Sequence, residues 1–313
     1  MILSVSRRTD IPAFYSEWFI NRIREGFVMV RNPMNYHGVS RISLSPDLVD
    51  CIVFWSKNPA PLLPYLDQIA EKYPFYFQFT MNAYGTDIEP NLPAICERFD
   101  TFRYISEKYG KESIIWRYDP VMLTKQYSID WHIRNFTYIA DQLKGYTSSC
   151  VFSFVDIYDK VKNNLKAENV VQHTQNEINI IAREFSGIAH ANAITLKTCA
   201  EEVDLDEYGI EHSCCVDPVL ISKLVRCDIS TKKDINQRQI CGCVESIDIG
   251  QYNTCKHGCK YCYANYSQSS VQKCFAAHIA TSPLLIGGIE LSDKITDRKV
   301  KSIKQSQISL FDI

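Results

Sequence analysis

Six short apolar runs, each followed by residues at helical spacing, limit how this chain can fold. The runs are Ile2–Val5, Cys51–Trp55, Phe75–Thr80, Ser113–Tyr118, Cys150–Val155 and Ala193–Thr198. They are rich in Ile, Val, Phe and Tyr, and most are continuously apolar rather than alternating. Strands buried on both faces, as in parallel sheets, read this way. Between the runs, Leu62, Leu63, Leu66, Ile69 and Ala70 share one helical face. So do Ile95, Phe99, Phe102 and Ile105, and likewise Ile133, Phe136, Ile139, Ala140 and Leu143. Strands alternating with helices wind into right-handed βα units. The expected fold is α/β, a partial or full parallel (β/α) barrel of TIM type with a cysteine-rich, irregular C-terminal region.

In such barrels the chemistry gathers where the strands end. Here each expected strand runs into polar residues: Ser6–Asp10, Ser56–Asn58, Thr80 with Asn82, Arg117 with Asp119, Asp156, and Lys197–Cys199. Together they read as the rim of one site, although each alone also fits a loop or helix cap. Lys57 and Arg117 stand out, because a charge at the end of an apolar strand needs a partner; Asp119 and Asp156 are candidates. Arg7, Arg8 and Asp10 suit either substrate anions or an ion pair at the barrel end.

The thirteen cysteines concentrate after Cys199. Cys51, Cys96 and Cys150 lie in apolar surroundings and are expected as small core residues. Cys255, Cys259 and Cys262 are spaced C-x3-C-x2-C, unlike the paired spacing of zinc sites. Three clustered thiols without an adjacent fourth suit an iron–sulfur cluster with one iron open, or a structural metal staple. His257, inside that loop, is expected to be solvated. Cys241 and Cys243, with Cys199 and either Cys214 or Cys215, offer a second set of four thiols for an auxiliary iron–sulfur cluster or zinc; Cys214 is the choice carried forward. Cys214 and Cys215 also suit core positions before a helix at Asp217. Residues 1–228 are expected as the barrel domain and 229–290 as an iron–sulfur segment packed on it. Residues 291–313 are expected as a basic tail.

Several segments resemble radical S-adenosylmethionine enzymes, and within them the spore photoproduct lyase branch. The resemblance lies in Cys255–Ala264, in Phe54–Lys57 followed by the proline-rich Asn58–Pro64, in Ile88–Pro93 with Arg98, and in Arg117–Pro120. The chain as a whole resembles an uncharacterised bacterial family, domain of unknown function 1848. The radical-enzyme resemblance implies a [4Fe-4S] cluster on Cys255, Cys259 and Cys262 that reduces S-adenosylmethionine to a 5′-deoxyadenosyl radical, with an electron donor as partner. It implies Tyr261 beside the adenine. It also makes Lys57, Thr80, Asn82 and Arg117 candidates for the cofactor's carboxylate, ribose and amino group. Thr80 and Asn82 equally suit ordinary strand-end hydrogen bonds. One departure is the order: such enzymes carry the three cysteines after the first strand, whereas here they follow almost the whole barrel. That order implies a circular permutation, with Ser246–Gly250 supplying the strand or loop before the cluster.

The tail Gln307–Phe311 resembles the short peptide by which replication and repair proteins dock on the sliding clamp. Lys294, Arg298, Lys299, Lys301 and Lys304 make the arm before it basic, which favours a DNA setting. A DNA-repair role and a nucleic-acid substrate are the corresponding expectations. The net charge of −2 gives no global pull toward nucleic acid. No run of about 18 apolar residues is present, and no secretion signal opens the chain, so a cytoplasmic protein without membrane contact is expected. Two non-catalytic alternatives stand beside the enzyme: a DNA-associated protein whose cysteines only staple its C-terminal region, and an iron–sulfur redox carrier.

Overall fold

The computed structural model describes residues 1–157, 161–265 and 267–305. In chain order the strands are β1 (Ile2–Val5), β2 (Phe27–Asn32), β3 (Asn35–Ser43), β4 (Cys51–Ser56), β5 (Phe75–Thr80), β6 (Ile114–Val121), β7 (Ser149–Phe154), β8 (Thr195–Cys199), β9 (Glu211–Ser213), β10 (Ile247–Asp248) and β11 (Lys294–Asp297). Eight form one sheet in the order β10-β1-β4-β5-β6-β7-β8-β9, with every neighbouring pair parallel. The six apolar runs thus become β1 and β4 to β8, and helices Leu63–Ala70, Ile95–Tyr109 and Ile129–Leu143 cover three of the helical patterns.

Both faces of this sheet are buried, as continuous apolar strands require. Alternate residues face opposite ways. Leu3, Val5, Phe54, Phe77, Phe79, Trp116 and Phe152 pack against the helices. Ile2, Cys51, Val53, Tyr76, Ile115 and Val151 pack against Cys215, Val216, Ile221, Cys241, Cys243 and Val244 on the inner face. The segment after residue 229 is therefore part of the main core. Together with Cys215, Val216 and Ile221 it covers that face, and it contributes β10, which pairs Leu3 with Ile247 and Ser4 with Asp248. Trp18 Nε1 also donates to the carbonyls of Ser282 (2.9 Å) and Leu284 (3.0 Å).

Two expectations fail here. Residues 291–305 are not a free tail. β11 joins β3 and β2 in a small second sheet, and the Met1 ammonium donates to Lys301 O (2.8 Å) and to Asp50. That hairpin had no strong signal, because one of its faces is exposed and β11 is short and charged. The clamp-like Gln307–Phe311 lies outside the described residues. Cys96 is exposed rather than in the core, because helix Ile95–Tyr109 buries Phe99, Phe102 and Ile105 on another face. Cys51 and Cys150 are buried. Among the described residues, no helix is long and apolar enough to cross a membrane.

His132, on Ile129–Leu143, is fully buried between Tyr118 Oη (2.8 Å from Nδ1) and Met122 O (3.0 Å from Nε2). Burial lowers its pKa to about 4, against the opposing pull of the Met122 carbonyl. Below pH 6.5 the unfolded ring takes up a proton that the folded ring refuses. Stability should fall as pH drops from 6.5 toward about 4, by roughly 1.4 kcal/mol per unit from this group. Urea unfolding across that window checks this. A slope no steeper than that of His132→Gln would contradict it.

Candidate metal and cofactor site

The cysteine loop follows β10 directly, and because β10 lies beside β1 the loop comes over the carboxyl ends of β1, β4 and β5. Backbone and side-chain bonds hold it there. Lys260 N donates to Ile88 O (3.0 Å), Asn91 Nδ2 to Lys256 O (2.8 Å), and Tyr15 Oη to Thr254 O (2.6 Å). Gly258 adopts φ +73° in a space where an added Cβ would sit 3.1 Å from Pro90 and 3.2 Å from Asn91.

His257 is buried, not solvated. Its Nε2 lies 2.7 Å from Asp10 Oδ2, and its ring packs on Phe14. Asp10 also accepts from Ser56 Oγ (2.8 Å), Lys57 N (2.8 Å) and Ala13 N (2.9 Å). One carboxylate thus ties the end of β1, the end of β4 and the cysteine loop together.

Cys255, Cys259 and Cys262 are half-buried and form no disulfide. Burial pushes all three thiols above the usual range. Cys255 is raised further by Asp10 and by the other two thiols, while Lys57 pulls Cys259 and Cys262 the other way. The three are close enough to oppose one another's ionisation. Their sulfurs do not all lie within 4.8 Å of one another, which is wider than a single-ion site.

Below the loop lies a buried charged group. Lys57 Nζ donates to Glu89 Oε1 (2.8 Å), Tyr261 Oη donates to the same oxygen, and Asn82 Nδ2 approaches it at 3.2 Å. Burial would raise the Glu89 carboxyl, but Lys57 and Arg98 hold it below its ordinary value. Three polar atoms here are buried without a partner: Glu89 Oε2, Arg98 Nε and Arg98 Nη1. From sequence alone, Glu89 is marked only as a member of Ile88–Pro93.

Asn82 also bonds Asp119 O (2.9 Å) and accepts from Asp119 N (2.9 Å), so it joins the ends of β5 and β6. Thr80 ends β5 in register with Arg117. Arg117 does not join the Lys57 group. It pairs with Asp119 and donates from Nη1 to Gln78 Oε1 (3.3 Å) and Cys215 Sγ (2.9 Å) on the inner face. Its position on β6 alternates inward, which directs it there. Asp156 pairs with Arg238 (2.8 Å) instead of Lys57 or Arg117. Arg8 forms an ion pair at the carboxyl end of β1 and β10, with Asp248 (3.0 Å), and Arg7 stacks over Trp55.

The second thiol group gathers around Cys215 rather than Cys214. Cys199 Sγ and Cys215 Sγ are 3.0 Å apart, and Cys215 shares a buried cluster with Cys241 and Cys243. The chain turns between the two neighbours, so Cys215 points inward while Cys214 lies over Gly242. Among the described residues, the only compact group of three ligand atoms within 4.8 Å is His37, Glu290 and Asp293. It lies by the small sheet, and Arg31 already holds Asp293.

Fold and site define an α/β protein built on a parallel sheet, with thiols over its carboxyl edge and on its inner face. The chain belongs to the family described as Domain of unknown function (DUF1848), which matches residues 2–264. The match takes in the whole main sheet and all three cysteines of the loop, and stops before β11. No curated protein matches the chain.

Asp10→Ala should leave His257 Nε2, Ser56 Oγ and Lys57 N without their acceptor, at about 1–3 kcal/mol for each buried group. The cysteine loop should loosen first. Faster iodoacetamide labelling of Cys255 at unchanged far-ultraviolet circular dichroism is the expected result; an unaltered labelling rate would show that Asp10 does not hold the loop.

Proposed function

We propose that this protein is a radical S-adenosylmethionine enzyme whose [4Fe-4S] cluster is held by Cys255, Cys259 and Cys262. When bound, that cluster supplies the electron that cleaves the sulfonium to a 5′-deoxyadenosyl radical, and an external donor restores it. The observation that carries the proposal is the set of unspent polar atoms beside the three thiols. Glu89 Oε2 is an acceptor suited to an ammonium, and Arg98 Nε and Nη1 are donors suited to a carboxylate. A zwitterionic amino acid such as the methionine part of the cofactor presents both.

The other residues have distinct parts in this reading. Lys57 holds Glu89 ionised and lies 5.3 Å from the centre of the Tyr261 ring, which would flank the adenine. Asn82 positions the ends of β5 and β6, and Thr80 is the remaining candidate for the ribose. Arg117 is withdrawn from the cofactor by Asp119 and Cys215. The location of β10, before the cysteine loop and beside β1, supports a circularly permuted barrel in which β10 stands for the usual first strand. A nucleic-acid substrate is proposed with it. The support is the resemblance to a lesion-repair branch and the exposed Lys294, Arg298, Lys299, Lys301 and Lys304. A sliding clamp as partner, through Gln307–Phe311, and a cytoplasmic location complete the proposal.

The test is anaerobic reconstitution with iron and sulfide, then dithionite and S-adenosylmethionine, with 5′-deoxyadenosine measured by chromatography. The unsubstituted chain should release it, and Cys259→Ala should reduce release to background with the sheet intact by circular dichroism. Full cleavage by Cys259→Ala would remove the ligand assignment. Stoichiometric zinc on the loop with no uptake of iron would leave a metal staple in place of the enzyme.

A further inference from the structure

We propose that Cys199, Cys215, Cys241 and Cys243 form a second metal centre, of four thiolates, that ties the two edges of the main sheet together. The four thiols come from separate parts of the chain. Cys199 ends β8 and Cys215 follows β9, at one edge of the sheet; Cys241 and Cys243 precede β10, at the other. They nevertheless share one buried cluster: Cys215, Cys241 and Cys243 lie within it, Cys199 packs against it, and Cys199 Sγ is 3.0 Å from Cys215 Sγ. Val244 N donates to Val216 O (3.2 Å) and Val216 N to Cys243 Sγ (3.3 Å), so the two segments are already in register.

Two features distinguish this group from ordinary core cysteines, which behave as small apolar residues. Buried guanidinium groups face the thiols: Arg117 Nη1 lies 2.9 Å from Cys215 Sγ, and Arg7 Nη2 is buried without a hydrogen-bond partner. Four thiols share this one cluster, so no single disulfide accounts for them. A thiophilic centre is the ligand, either zinc or an iron–sulfur cluster, because four thiolates suit both.

This centre is independent of the loop cysteines, so the test begins by removing them. The full chain carrying Cys255→Ala, Cys259→Ala and Cys262→Ala is purified anaerobically, then loaded with zinc or with iron and sulfide. Metal and acid-labile sulfide are counted after desalting. Retained zinc identifies a single ion, and retained iron with sulfide identifies a cluster; both support the centre. Adding Cys215→Ser or Cys243→Ser should abolish retention, whereas Cys214→Ser should not. Retention of neither metal, a Cys199–Cys215 disulfide found by mass spectrometry in the anaerobic protein, or equal loss with Cys214→Ser would overturn the assignment. A second readout needs no further variant. Stripping the metal with a chelator should lower the thermal midpoint of the triple variant, and an unmoved midpoint would overturn the edge-tying role.

Discussion

The pairing of β10 with β1 decides where the chemistry of this chain can lie. It is a short ladder, and its strength comes from Asp248. That carboxylate accepts from Ser4 Oγ (3.1 Å), Ser6 Oγ (2.6 Å), Arg7 N (2.8 Å), Arg8 Nε (3.0 Å) and Gly250 N (2.9 Å). A two-residue strand has little pairing energy of its own, so a charged acceptor filled from both strands is what holds it. With β10 placed, the loop of Cys255, Cys259 and Cys262 can only emerge over the ends of the neighbouring strands.

The buried charges are arranged as opposed sets. Lys57 and Arg98 surround Glu89, and Arg117 is held by Asp119, whose other oxygen accepts from Ser153 Oγ. Burial alone would raise both carboxyls, and the facing cations keep them below their ordinary values. Isolated, any of these ions would be strongly destabilising; matched, they hold several strand ends in fixed relation. The same arrangement separates the two thiol groups. Lys57 serves the loop above the sheet, and Arg117 serves the inner face. Asn82 links the two, through Tyr261 on one side and Asp119 on the other.

Much of the main sheet was legible because a parallel strand buried on two faces is apolar at every position, and that signal is local. The hairpin of β2 and β3 was not, since Arg31, Tyr36 and Arg41 interrupt its apolar residues and β11 arrives from more than two hundred residues away. The loop cysteines were legible as a group from their spacing. The role of Glu89, the partners of Asp10 and the buried state of His257 were not, because each depends on a residue remote in the chain.

From the amino-acid order alone came the alternation of βα units, the three adjacent thiols and the polar residues at the strand ends. All are set by neighbours within one turn or one strand, where geometry follows spacing. Only the tertiary structure decided that β10 borders β1, that Cys215 rather than Cys214 meets Cys199, and that Arg117 turns to the inner face. Those outcomes depend on which of two sides a residue takes once distant segments pack. A one-residue step along a strand or turn reverses that side, and spacing does not choose between them.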